Sequence, residues 1–313
     1  MKDDDGDFFK AVEGLIKTLL ESKGWNEDNS DYIVLSLEGM ESKAPDIVKQ
    51  IEGLKPDVVL MNTTLIKPIA VPLKASGIPC VAGGGLELED ESGNLIFVDK
   101  KGNPTTNLTG TYTMPRTQLE NSIKFLNRVA PLKNKKAVFA TFRSAAFTKV
   151  KVEKAFKSSG FVLKEFKEFD NVEDYQDFVK KYNTDPEVGW IISGEMISRH
   201  KDGSKYSFEE FFKWERENCK KPNIGFWENS VEKGKLCALA IDSMTTVNQM
   251  IDMADRVLKG EKVSQIKPED PKKTFVILNQ ERAKDLRIVF PIDILKSAMK
   301  IYTDYDGNFE AKK

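Results

Sequence analysis

Apolar and polar positions along the chain fall into an alternating series of short runs. Residues 7–23 carry Phe8, Phe9, Val12, Leu15, Ile16, Leu19 and Leu20 on one face at helical spacing, with Asp7 suited to the first turn and Gly24 to the C-cap. Tyr32–Leu37 (Y-I-V-L-S-L) then reads as a buried-type strand, Pro45–Ile51 as part of a short helix and Asp57–Met61 (D-V-V-L-M) as a second strand. Leu65–Ala75 follows as a helix, with Pro68 and Pro72 awkward inside it. A third strand spans Ile78–Ala82 and ends at Gly83–Gly85, and Leu95–Val98, between S-G-N and K-K-G-N, predicts a small hairpin.

The stretch Asn107–Arg116 (N-L-T-G-T-Y-T-M-P-R) separates this run from a second one of the same kind. Gly110 is free in φ there, and Thr113 and Pro115 suit a helix start. The stretch is either a crossing between two lobes or an ordinary strand-to-helix loop. Beyond it the pattern predicts helices at Gln118–Val129, Phe147–Ser158, Val172–Tyr182 and Phe208–Cys219. Strands are predicted at Ala137–Phe142, Phe161–Phe166, Gly189–Ser193, Asn223–Trp227 and Leu236–Ile241. Ser243 is then expected to cap a long helix carrying Val247, Ile251, Ala254 and Leu258, closed by Gly260. The tail reads as a strand, Thr274–Leu278, and two short helices around Arg282–Leu286 and Asp293–Tyr302, separated by Pro291. Alternating strands and helices predict the α/β class, with two doubly wound parallel-sheet lobes.

Length and composition agree with this picture. A chain of 313 residues suffices for two domains, and 40% apolar residues supply a core for each. A net charge of −1 with 31% charged residues is a mixed surface, without the basic excess of a nucleic-acid binder. No apolar run approaches the ~20 residues of a membrane span. The opening M-K-D-D-D-G-D is acidic where a secretory signal is basic, so either a cytosolic chain or a mature, trimmed form of an exported one is expected. Cys80, Cys219 and Cys237 lack metal-type spacing and read as buried free thiols; His200, the one histidine, lies in a polar loop.

Motifs for catalysis are missing. There is no G-x-S-x-G elbow and no P-loop, and Gly83-Gly84-Gly85 does not complete a dinucleotide fingerprint. The acidic clusters Asp3–Asp7 and Asp304–Gly307 resemble halves of calcium loops but lack the later glutamate, so no metal site and no cofactor are predicted. What remains is positional. In doubly wound sheets ligands bind beyond the carboxyl ends of the strands. Here those ends carry Asn62-Thr63-Thr64, Thr141-Phe142-Arg143-Ser144, Ser193-Gly194-Glu195, Phe226-Trp227-Glu228 and Asp242-Ser243. Hydroxyls, amides and aromatics suit hydrogen bonding and stacking of a small organic molecule, and helix starts behind them favour a carboxylate. The same residues could instead be plain helix caps.

Several segments carry a family likeness: K-P-D-V-V-L-M-N-T-T at 55–64, residues 107–116, K-A-V-F-A-T-F at 136–142 and G-F-W-E-N at 225–229. The tail adds D-R-V-L-K-G-E-K-V-S-Q-I at 255–266, F-V-I-L-N-Q-E-R-A-K-D-L at 275–286 and F-P-I-D-I-L at 290–295. Over nearly its whole length the chain resembles substrate-binding proteins of an ABC transporter group with a type I periplasmic-binding fold. That group includes tryptophan- and tyrosine-type binders.

The resemblance implies two lobes joined by a hinge, one of residues 1–109 plus about 243–268, the other of 110–242 plus about 269–313. It implies a monomer outside the cytoplasm that closes on a small ligand, an amino acid among the candidates, and hands it to a membrane permease. Ligand contacts would come from Asn62, Thr63 and Thr64, then Thr141, Phe142, Ser144, Ser193, Gly194, Phe226, Trp227 and Asp242, with Tyr112 at the crossing. The family's chain opens with a strand before its first helix, whereas this one goes from D-D-D-G-D straight into the helix. Either the numbering starts late or the lobe lacks that strand. The segment from Trp190 to Glu215 also resembles extracytoplasmic sensor ectodomains, which keeps a ligand-sensing role open. A cytosolic α/β enzyme would need a titratable pair, for which Glu195, Glu228 and Asp242 are the candidates.

Overall fold

The computed structural model describes residues 4–37, 41–62, 66–86, 95–142, 147–194 and 197–311. The chain divides into two compact units, one of Met1–Pro115 with Asp242–Lys272, the other of Arg116–Ile241 with Lys273–Lys313.

In chain order the first stretch contributes α1 (Asp4–Ser22), α2 (Ala44–Leu54), β1 (Val59–Met61), α3 (Lys67–Leu73), β2 (Cys80–Gly83) and β3 (Leu108–Thr111). The second contributes α4 (Gln118–Val129), β4 (Lys136–Phe142), α5 (Lys149–Ser159), β5 (Leu163–Phe169), α6 (Val172–Asn183) and β6 (Val188–Ser193). It continues through α7 (Phe208–Asn218), β7 (Ile224–Gly225), α8 (Glu228–Glu232) and β8 (Cys237–Ile241). Next comes α9 (Ser243–Leu258) in the first unit. The chain closes in the second unit with β9 (Thr274–Asn279), α10 (Gln280–Asp285), α11 (Ile292–Ser297), β10 (Ala298–Tyr302) and β11 (Phe309–Ala311).

The first unit is a parallel sheet in the order β1-β2-β3, in register Val59↔Cys80 and Cys80↔Leu108. Side-chain alternation sorts its residues onto two faces. Val59, Met61, Cys80 and Ala82 pack with Ile47, Val48 and Ile51 of α2 and Ile69 and Leu73 of α3. Leu60 and Val81 pack with Ile16 of α1 and Val247, Met250 and Ile251 of α9. Gly110 in β3 has φ +141°, and a Cβ there would stand 2.0 Å from the Ala82 carbonyl oxygen. Glycine at this point lets two strands approach where no side chain fits.

The second unit holds a parallel sheet β5-β4-β6 and a mixed sheet β11-β10-β9-β8-β7. The Ile191 N–H donates to the Pro222 carbonyl (3.3 Å) where β6 meets the start of β7. β8 runs antiparallel to β9, with Ile241 opposite Thr274, and β11 antiparallel to β10. Val138, Ala140 and Ile191 face Tyr175, Phe178 and Val179 of α6 and Phe211 and Phe212 of α7 in one apolar cluster. Ser207 caps α7, accepting from the Glu210 N–H while the Glu210 carboxylate accepts from the Ser207 N–H, a reciprocal capping box. All three cysteines are free and buried.

The structure departs from the sequence expectations at several points; the expected strand Asn223–Trp227, for one, shrinks to Ile224–Gly225. Tyr32–Leu37 joins no strand ladder among the described residues; Tyr32, Ile33 and Val34 are exposed while Leu35 and Leu37 rest against the first core. A strand needs a partner for its backbone groups, whatever its β-propensity. Thr113 does not cap α4, whose N-cap is Thr117; its hydroxyl accepts instead from the Gly85 N–H at 2.9 Å. Asp242, not Ser243, caps α9, accepting from the Met244 N–H and the Thr245 hydroxyl. Residues 298–302, expected to be helical, form β10, and β11 beyond it was not foreseen.

Candidate functional site

The carboxyl ends of β6 and β7 open onto a cavity of ≈ 290 Å³ in the second unit. This is near the lower end of the ~300–1,000 Å³ of small-molecule sites. Its walls are largely aromatic. Phe208, Phe211 and Phe212 come from α7, where spacings of three and four residues put them on one face. Phe226 and Trp227 come from the turn between β7 and α8. Phe147, just before α5, braces these two, its ring centroid 4.6 Å from Phe226 and 6.2 Å from Trp227. Phe226 is fully buried, whereas Trp227 is half-buried.

Ser193, Gly194 and Lys235 also line the cavity. A Cβ on Gly194 would lie 2.8 Å from the Phe139 ring and 2.9 Å from the Phe147 ring, so the backbone reaches the cavity only as glycine. Lys235, between α8 and β8, is 2% exposed, and Glu215 on α7 is equally buried. Glu215 Oε1 accepts from the Lys235 ammonium at 2.7 Å, the Ser193 hydroxyl at 2.7 Å and the Tyr175 hydroxyl at 2.6 Å. Glu215 Oε2 takes a second contact from Lys235 at 2.6 Å, and Lys235 also donates to Ser193 Oγ. Burial alone would push the Glu215 carboxyl up, but the Lys235 charge and these hydrogen bonds outweigh it and hold it below the ordinary glutamate range. Burial, then the Glu215 charge, raise the Tyr175 phenol well above its usual value.

Ser193, Gly194, Phe226 and Trp227, singled out in the sequence, thus line one cavity. Thr141 and Phe142, at the end of β4, do not; Thr141 is buried and donates to the Phe142 carbonyl at 2.8 Å. Three more lie in the first unit. Asn62 follows β1 half-buried, Tyr112 is buried in the core and donates its N–H to the Glu269 carbonyl, and Asp242 caps α9. Thr63, Thr64 and Ser144 lie outside the described residues, as does Glu195.

Lys235, Glu215 and the three α7 phenylalanines were not anticipated. A signal existed for the carboxylate. Phe208, Phe211, Phe212 and Glu215 follow i, i+3, i+4, i+7, which sets a charge on the apolar stripe of a helix. Among the described residues no group of three or more His, Cys, Asp or Glu side chains is placed to hold a metal ion. In the tail, Asp304 accepts from the N–H groups of Asp306 and Asn308 at 2.9 and 3.1 Å, an ordinary turn.

No curated protein matches the sequence. Among solved structures, the chain is similar to a Streptococcus pneumonia protein described as an ABC domain in complex with L-Trp. The TM-score is 0.70 at 20% identity, over 93% of this chain and 94% of that one. A conserved domain protein from Vibrio cholerae gives 0.70 at 19% identity, covering 94% and 95%. A substrate binding protein with adhesive properties from Clostridium difficile, in its ligand-free open structure, gives 0.69 at 19%, covering 94% of each. These likenesses show the α/β fold of periplasmic-binding type. The family model described as ABC transporter substrate binding protein matches residues 4–302, and the chain belongs to that family.

Proposed function

We propose that this protein is the solute-binding component of an ABC importer, working outside the cytoplasm. Its two units act as lobes that close on a small organic ligand, which then passes to a membrane permease. The protein acts as a monomer, performs no chemistry and binds no nucleic acid. The observation carrying this reading is the aromatic cavity at the strand ends of the second unit, with its polar floor. Ser193, Gly194, Phe226 and Trp227 are its ligand contacts there. Asn62, Thr63, Thr64, Tyr112 and Asp242 contribute from the first unit, with Thr141, Phe142 and Ser144 at the end of β4. The Streptococcus pneumonia relative holds an amino acid with an aromatic side chain, which supports a ligand of similar size. Among the acids an enzyme would need, Glu228 is engaged with Lys300 and with the Tyr302 hydroxyl, and Asp242 serves as a cap. Both have structural work.

Closure follows from linkage: a ligand favours the closed form only by its differential affinity for it. A thermal-shift panel of amino acids and small metabolites tests the reading. A ligand at 100 times its dissociation constant should add about 2.7 kcal/mol of stability. The same ligand should change the Trp227 fluorescence. Trp227→Ala should weaken binding while leaving the melting temperature nearly unchanged. A folded sample that responds to nothing in the panel would overturn the proposal.

A further inference from the structure

The chain as a whole is balanced, with 48 lysines and arginines against 49 acids, but the balance is not local. From Gln118 to Lys164, the span from α4 to the start of β5, eleven lysines and arginines stand against two glutamates. Both glutamates are already paired, Glu120 with Lys124 at 2.5 Å and Glu153 with Lys149 at 3.8 Å. Arg128 reaches Asp293 at 2.7 Å, and Lys136 and Lys164 reach Glu187. Lys133, Lys135, Lys154 and Lys157 are exposed, and their ammonium groups have no ion-pair or hydrogen-bond partner among the described residues.

Local pairing gathers these four onto one surface of the second unit. The Ser159 hydroxyl, at the end of α5, donates to the Glu120 carbonyl of α4 at 3.4 Å, so the two helices are neighbours. The Ala137 N–H donates to the Val162 carbonyl at 3.0 Å, which sets the turn before β4, with Lys133 and Lys135, beside the end of α5. Lys154 and Lys157 share the outward stripe of α5, and Val150 continues it one turn earlier. Val150 is 75% exposed and Val162 is 56% exposed. Burial first, and then the Lys135 charge, hold the Lys221 ammonium below its ordinary value, a crowding of like charges on the same rim. None of these residues lines the aromatic cavity.

Residue type narrows the partner. Capture of a single phosphate or carboxylate is best done by an arginine fork. Here the unpaired charges are lysines, hydrated point charges on flexible stems, spread along a helix and the turn beside it, with two exposed aliphatic side chains among them. Such a field suits a plane of many anions over an apolar layer, with the ammonium groups among the anions and the valines beneath them. A nucleic acid backbone would match the charge but leave the valines in water. The net charge of −1 does not oppose this, because at physiological ionic strength the Debye length is ~8 Å and a partner senses only the face turned toward it.

We propose that the α4–α5 face is a docking surface for a membrane bearing anionic phospholipid headgroups, with Lys133, Lys135, Lys154 and Lys157 as its contacts. The proposal takes from the solute-binding reading only the presence of a membrane beside the protein.

Co-sedimentation of the full chain with vesicles, in the absence of any solute, tests it. Phosphatidylcholine vesicles with about 30% phosphatidylglycerol should retain the protein, and phosphatidylcholine alone should not. Raising the salt to about 0.5 M should release it. Replacing Lys133, Lys135, Lys154 and Lys157 together with glutamine should lower the bound-to-free ratio at least about tenfold. Replacing Lys49, Lys74, Lys100 and Lys101, exposed lysines of the first unit, removes the same charge and should change the ratio by less than about twofold. Equal losses in the two variants overturn the inference, as does retention by phosphatidylcholine alone. No retention by anionic vesicles also overturns it; if binding to heparin or polyglutamate still depends on the four lysines, the face takes an anionic macromolecule instead. Each of these outcomes leaves the solute-binding reading standing, since that is decided by the thermal-shift panel, and a silent panel leaves the vesicle result standing in turn.

Discussion

Two cations of the second unit are almost completely buried, and they are balanced in different ways. Lys235, 2% exposed, faces a carboxylate; Arg282, 1% exposed, faces carbonyl oxygens. The Arg282 guanidinium donates to the Arg216 carbonyl at 2.8 Å and the Cys219 carbonyl at 2.7 Å, where α7 ends. Those are acceptors a helix leaves open, at the negative end of its dipole. Arginine suits this because its fork is planar and stays charged. Lys235 instead sits in a net-neutral cluster on the wall of a cavity. The first arrangement is a fixture of the fold. The second is a polar floor, and its geometry depends on a titrating group.

Breaking the Lys235 balance should cost most. Lys235→Met leaves the Glu215 carboxylate buried without its counter-charge, a loss of about 3–5 kcal/mol in urea titrations. Adding Glu215→Leu should recover most of that, because replacing a whole buried pair with apolar groups is close to neutral. Arg282→Met comes next, about 2–3 kcal/mol, since it strands one buried and one part-buried carbonyl without removing a partner's charge compensation. No second substitution nearby should rescue it. A smaller effect separates the two by pH. Glu215 titrates below the ordinary glutamate value of about 4.3 in the folded protein. Its stabilisation is therefore present above the unfolded value and is lost as the pH falls through the folded one. Wild type should therefore lose stability relative to the Lys235→Met/Glu215→Leu variant on acidification from pH 6 to 3, whatever the size of the small difference between them at pH 6. The gap between wild type and Arg282→Met should stay flat.

The strands of the sheets were readable wherever an apolar run was bounded by turn residues, as in Ala137–Phe142 and Gly189–Ser193. The tail was not, for a physical reason. Ile294, Ala298, Ile301 and Tyr302 satisfy a helical repeat as well as β10 does, and only pairing with β9 decides between them. Tyr32–Leu37 fails in the opposite sense, because local propensity cannot supply a partner. At the site, strand-end position marked Ser193, Gly194, Phe226 and Trp227. It could not mark Lys235 and Glu215, which stand 20 residues apart on elements with no local signature for a pair. The aromatic stripe of α7 did contain the clue. A glutamate in register with Phe208, Phe211 and Phe212 must either break the helix face or find a buried cation.

The pairing of Ile241 with Thr274 has a further consequence. These residues are where the chain leaves the second unit and comes back to it, and they are neighbours in one antiparallel ladder. The helix-bearing segment 242–273 between them is thus an excursion from the tip of what is topologically a β-hairpin. Replacing it with a two-residue Asn-Gly turn would close that hairpin without disturbing its register. Residues 116–241 and 274–311 would then form one continuous polypeptide with both sheets of the second unit intact. The half of the molecule that carries the aromatic cavity is, in covalent terms, an excisable module.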